Sequence, residues 1–301
     1  MKQTYLQAAG TPLKAIRELL ALYRFAGRDL DKRVADIVSS TRSGIEEMEI
    51  FSGQSIVGKM LLEIGPGQTK PFYYALGPQN DYTAIDLEIA PEGLSFNEFL
   101  RIFRENGMLR AVKSLGRQAL GIDRKLGNAL RAEFGGAPKG LFVQGDASKT
   151  DFDDDTFDYV MSISVFEHLQ DPIAVMNEIT RTLKPGGTVF TVTHLYTSIT
   201  GAHDPRLFVD IEALPPWAHL DPDHQSRVAP NSYLNRLRVS DYLELFEQGW
   251  PGATHRIVGG LHDKKRALMA QLPHLVREEY SEEELLSDVI ISLWMKPMPA
   301  Q

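Results

Sequence analysis

Two glycines and two carboxylates carry the first chemical signal in this chain. The run Leu61-Leu62-Glu63-Ile64-Gly65-Pro66-Gly67-Gln68-Thr69 is a short apolar stretch that ends in an acid and a Gly-x-Gly turn. Glycine lets a backbone bend sharply and approach a ligand without a Cβ in the way, and a helix starting after the turn presents unpaired N–H groups. Asp86 follows Gly67 by nineteen residues, at the end of the next strand-like run. An acid placed there can accept hydrogen bonds from both hydroxyls of a ribose. A dinucleotide fold also wants a third Gly or Ala three residues after the second glycine, for helix–strand packing. Lys70 stands there, so a nicotinamide-dependent oxidoreductase is the weaker alternative and another adenosine cofactor the stronger reading.

These groups need a sheet to hold them. Strand patterns are predicted at Lys59–Ile64, Asp81–Leu87, Gly140–Asp146, Phe157–Ile163, Thr188–Val192, His255–Gly259 and Asp288–Met295, with helical patterns between the earlier ones. Strands alternating with helices imply a parallel sheet. Asp171-Pro172 supplies an N-cap and a first-turn proline, Ile173, Met176, Ile179 and Leu183 form one apolar face, and Pro185-Gly186-Gly187 is expected to stop that helix. Ser240 is expected to cap a helix running through Phe246. From Thr11 to about Ser52 the pattern reads as helical, with Gly27 interrupting the periodicity.

Composition narrows the function. At 301 residues and 43% hydrophobic, the chain can bury a full α/β core and carry accessories. A net charge of -8 disfavours a nonspecific nucleic-acid binder. The absence of cysteine excludes disulfides, thiolate zinc, cysteine nucleophiles and iron–sulfur clusters. No run approaches the ~18 apolar residues of a spanning helix, and residues 1–10 lack a signal-peptide core, so a cytoplasmic protein without stable membrane insertion is expected.

Four further motifs occur in order: Gly145-Asp146-Ala147, Phe157-Asp158-Tyr159-Val160, Glu167-His168 and Leu183-Lys184-Pro185-Gly186-Gly187. With the glycine turn, they resemble the class I S-adenosylmethionine-dependent methyltransferases, in the subgroup reading G-D-A, F-D-x-V, E-H and L-K-P-G-G. The resemblance covers residues 59–195 and, more weakly, the last strands. It implies a Rossmann-like α/β fold: a seven-stranded, mostly parallel sheet of order 3-2-1-4-5-7-6 with the last strand antiparallel and helices on both faces. It further implies that Glu63, Gly65 and Gly67 shape the methionine end of S-adenosylmethionine, that Asp86 holds the ribose, that Asp146 and Ala147 face the adenine, and that Ser162 and Ser164 lie beneath the sulfonium. Ligands of open α/β sheets bind outside the carboxyl ends of the strands, where these residues fall.

The domain plan expected is a helical cap over 1–56 and a methyltransferase domain over 57–301, with a helical insertion at 91–138 and a lid at 196–238. Residues 100–139 hold nine Lys or Arg against three acids, which favours an anionic acceptor if the charges face the crevice, and otherwise marks the wet face of helices. The lid segment is rich in His, Pro and aromatics, the composition of a binding loop. The expected reaction is O-methylation of a small molecule or glycan, with His194 as first choice for the base and His203, beside Asp204, as second. A protein that binds S-adenosylmethionine without catalysis is the remaining alternative. Quinone O-methyltransferases of the subgroup read E-x-x-E-H and hold magnesium there; Ser164 replaces the first acid, so no metal is assigned, and the Asp151–Asp155 run is read as a solvated turn. Oligomeric state is left open.

Overall fold

The structure, a computed structural model, describes residues 30–87 and 121–299. The helical pattern over 11–29 and most of the expected insertion, 88–120, lie outside the described residues. Contacts divide the described residues into two compact units, one up to residue 146 and one from residue 147 onward.

In the first unit, helix α1 (Leu30–Ser52) precedes strand β1 (Met60–Ile64), helix α2 (Pro71–Leu76), strand β2 (Asp81–Asp86), helix α3 (Ile122–Phe134) and strand β3 (Leu141–Gln144). The three strands run parallel, β1 against β2 and β2 against β3. Leu61, Leu62 and Ile64 are all buried, so β1 has apolar neighbours on both faces, as a parallel strand requires. Val34 and Val38 of α1 pack against Leu126 and Leu130 of α3. Their spacing of four residues places each pair on one helix face.

In the second unit, strand β4 (Phe157–Ile163) leads through a short 3-10 turn (Phe166–His168) to helix α4 (Pro172–Thr182) and strand β5 (Leu183–His194). Helices α5 (Pro205–Val209) and α6 (Val239–Gly249), strand β6 (Thr254–Gly259), helices α7 (His262–Met269), α8 (His274–Glu279) and α9 (Glu282–Leu286), and strand β7 (Ser287–Met295) complete it. β4 and β5 are parallel, while β7 is antiparallel to both β5 and β6. The seven strands follow the order β3-β2-β1-β4-β5-β7-β6, as the resemblance implied.

Asp171 caps α4 as expected: its carboxylate accepts from Ala174 N at 3.0 Å, with Pro172 following at the first helical position. Val175, Met176 and Ile179 are buried on its inner face. Two boundaries differ from expectation. The Leu183–Gly187 stretch is the first part of β5 rather than a turn. Gly186 takes a left-handed φ of 75° and its N–H reaches Lys296 O, while the β4–β5 register shifts between Phe157 and Tyr159. A bulge of this kind continues a strand through residues that otherwise read as a stop. Helix α6 starts at Val239, two residues earlier than a cap at Ser240 would place it. Arg238 precedes it, donating its backbone N–H to Asp241 at 2.8 Å, and Ser240 lies exposed in the first turn.

The segment between β5 and α6 is largely buried over residues 195–221. Thr197, Ser198, Ile199, Ala202, His203, Asp204, Trp217, Ala218, His219 and Asp221 are all buried. Trp217 packs with Ile199, Leu272, Val276 and Leu285, and its indole N–H donates to Thr197 O at 3.0 Å. Among the described residues no helix is long and apolar enough to cross a membrane.

Candidate functional site

In the first unit, the glycine turn has the backbone its sequence predicts: φ is 67° at Gly65 and 62° at Gly67, a region where a Cβ is penalised. Gly65 N–H donates to Ile85 O at 2.8 Å, which ties the turn to the neighbouring strand end. Glu63 ends one residue inside β1 and is buried; burial first, then the nearby Asp86 charge, pushes its carboxyl up to about 8. Its Oε2 accepts no hydrogen bond. Asp86 is the last residue of β2 and half-buried, and its carbonyl accepts from Gly145 N at 3.0 Å. Asp146, just past β3, is exposed. A left-handed turn, a buried acid and an accessible strand-end acid thus occupy the carboxyl ends of β1 and β2.

In the second unit, Ala147 is half-buried, Ser162 is buried near the end of β4 with an Oγ that meets no partner, and Ser164 is exposed with φ 54°. The two candidate bases come together. His194 Nδ1 lies 2.6 Å from His203 Nε2, and His194 Nε2 lies 3.1 Å from both Ser198 Oγ and Thr200 Oγ1. Burial pulls His194 down to about 4 and His203 to about 3, so both imidazoles are neutral near pH 7. A neutral pair at that distance shares one N–H between the two rings.

Sequence reasoning placed no site role on Glu167 or His168, and the structure brings both to this pair. Glu167 is 2% exposed, and neither of its carboxylate oxygens has a hydrogen-bond partner. Burial raises its carboxyl to about 8; the backbone N–H groups of Glu167 and His194 partly oppose the rise but fall short of hydrogen-bond geometry. Glu167 Oε1 lies 4.0 Å from His168 Nε2 and 4.0 Å from His203 Nε2. His168 Nδ1 donates to Tyr233 O at 2.7 Å, so its Nε2 carries the lone pair whenever the ring is neutral. Asn235 clamps the turn that carries both residues: its N–H donates to Glu167 O at 2.9 Å and its amide to Phe166 O at 2.7 Å. The His203 side is held by Asp204, which is buried and accepts from Arg206 and from Ala229 N. The Glu-His dipeptide was a visible signal; its meeting with a histidine thirty-five residues later, on an aperiodic segment, was not.

Residues 103–191 match the model of a family described as a methyltransferase domain. Over those residues the chain carries a methyltransferase domain. The chain is 29% identical over 139 residues to a protein of Oryza sativa subsp. japonica named probable tocopherol O-methyltransferase, chloroplastic, a match covering 43% of the chain and 38% of that protein. It is 31% identical over 96 residues to the chloroplastic tocopherol O-methyltransferase of Arabidopsis thaliana, covering 32% of the chain and 25% of the relative. The chain thus matches well under half the length of these curated relatives. Among solved structures, the Haemonchus contortus phosphoethanolamine N-methyltransferase 2 in complex with S-adenosyl-L-methionine is similar over 86% of this chain and 53% of that one, at 14% identity and a TM-score of 0.46.

Proposed function

We propose that this methyltransferase transfers the methyl group of S-adenosylmethionine to a hydroxyl oxygen of a small-molecule or glycan acceptor. The observation that carries the oxygen assignment is the part-buried His194–His203 pair, neutral near pH 7 and joined at 2.6 Å. Methyl transfer from a sulfonium is an in-line displacement: the C–O bond forms as the C–S bond breaks, the sulfur leaves as a neutral thioether, and the hydroxyl proton must go elsewhere. His194 is the residue assigned to take it. Ser198 and Thr200 hydroxyls can rotate away from its Nε2, whereas His203 fixes the ring from the other side.

The donor would be held by the residues named from the sequence. Asp86 accepts from the ribose hydroxyls, the Gly65–Gly67 turn lets the backbone approach the methionine moiety, and Glu63 meets its ammonium. Asp146, Ala147, Ser162 and Ser164 keep the adenine-side and sulfonium-side roles that the family pattern implies. The relatives' oxygen acceptors agree with the assignment without specifying this chain's acceptor. Arg236, exposed with its guanidinium 5.5 Å from the Tyr196 ring, supports an anionic group on that acceptor.

Incubating the protein with methyl-labelled donor and a panel of phenols, sugars and uronic acids tests the reading. His194→Gln is expected to lower kcat at least tenfold while leaving the donor Kd unchanged. Label recovered on nitrogen or carbon, or full turnover by that variant, sinks the proposal. Tight binding of a reduced nicotinamide dinucleotide, with none of the sulfonium donor, would favour the oxidoreductase alternative instead.

A further inference from the structure

We infer that Glu167, His168 and His203 form a binding site for a first-row transition-metal dication. Each residue offers one ligand atom, and the three atoms lie within 4.8 Å of one another. Bonds of about 2.1 Å at tetrahedral angles would set neighbouring ligand atoms about 3.4 Å apart, so the 4.0 Å separations close with a shift of roughly half an ångström.

Three further features fit a metal rather than a purely structural cluster. Both oxygens of Glu167 are buried without a hydrogen-bond partner, a costly arrangement that a cation would relieve. His168 donates its Nδ1–H to the Tyr233 carbonyl, the outer contact that fixes the tautomer of metal-ligating histidines and turns the Nε2 lone pair inward. The backbones on both sides are anchored, by Asn235 at the Glu167 turn and by Asp204 next to His203. Two imidazoles and one carboxylate form a nitrogen-rich donor set, which suits zinc, cobalt, iron or manganese better than magnesium or calcium.

The same nitrogen of His203 also contacts His194 Nδ1 at 2.6 Å. Taking up an ion therefore transfers His203 from His194 to the metal and leaves His194 Nδ1 available to another partner. The site shares His203 with the methyl-transfer reading but is tested by metal binding alone, without donor or acceptor, so that either can fail without the other.

The test is calorimetric titration of chelator-treated full chain with Zn2+, Co2+ and Mg2+, together with visible absorption of the Co2+ form. Stoichiometric 1:1 binding of Zn2+ and Co2+ is expected, at least about 100-fold tighter than Mg2+. Glu167→Gln and His203→Gln, each near the native shape and checked for a native circular-dichroism spectrum, should each weaken Co2+ binding about tenfold or more and alter its absorption band. Replacing the exposed pair member His274, 3.2 Å from Glu278, should change nothing and so controls for surface chelation. Equal affinity for Mg2+ and Zn2+, no 1:1 binding, or Co2+ binding untouched in both cluster variants would overturn the inference. If one variant fails to fold, the other with the Co2+ spectrum decides.

Discussion

Asp86 and Glu63 lie near the ends of neighbouring strands but differ in burial. Asp86 is half-buried at a strand end, and Asp86→Ala is expected to weaken donor binding by about 1–3 kcal/mol, measured by calorimetry, if it holds the ribose. Glu63 is buried, with its carboxyl raised from 4.5 to about 8. Because the folded state binds this proton more tightly than the unfolded state, the acid favours folding below pH 4.5, and that contribution is lost as pH rises through 8. A donor ammonium beside it reverses the preference. Binding at pH 7 should therefore release close to one proton, seen as a dependence of the binding enthalpy on buffer ionisation, and Glu63→Gln should abolish the release. A buffer-independent enthalpy in the native protein would argue that the ammonium lies elsewhere. These two acids were legible in the sequence because each closes a short apolar run. Glu167 was not, since its burial depends on Asn235 and His203, far along the chain and on segments without periodicity.

At the scale of elements, local rules succeeded where one residue decides the backbone. Gly67 has φ 62° and open space where a Cβ would go, so Gly67→Ala carries a conformational cost alone, about 1–2 kcal/mol, read as a lower Tm. Asp171→Ala should remove the α4 cap for about 1 kcal/mol, whereas Ser240→Ala, in the first turn of α6, should change little. A Tm drop for Ser240→Ala equal to that of Asp171→Ala would contradict the observed α6 start. Strand order was legible through the resemblance and through alternation of elements. The start of β5 was not, because Pro185-Gly186-Gly187 has turn chemistry, and only pairing with β4 and Lys296 draws it into the sheet. The exposure of the β5–α6 segment was equally illegible. Proline, histidine and tryptophan mark irregular backbone, but irregular backbone can be as buried as a helix when its polar groups find partners.

For the whole molecule, the decisive feature is how that irregular segment is held. Trp217 is 1% exposed and stapled to Thr197, with Ile199, Leu272 and Leu285 around it. Thermolysin should accordingly cut residues 195–221 no faster than global unfolding allows, and Trp217→Phe should speed that cleavage by opening the cluster. Early nicking of the native protein there would show a surface loop instead. The segment that contacts His194 through Ser198 and Thr200 is thus held by the packing around Trp217. Attempts to retrain this enzyme on new acceptors by randomising that segment should yield insoluble protein far more often than altered selectivity, unless the library spares the tryptophan staple.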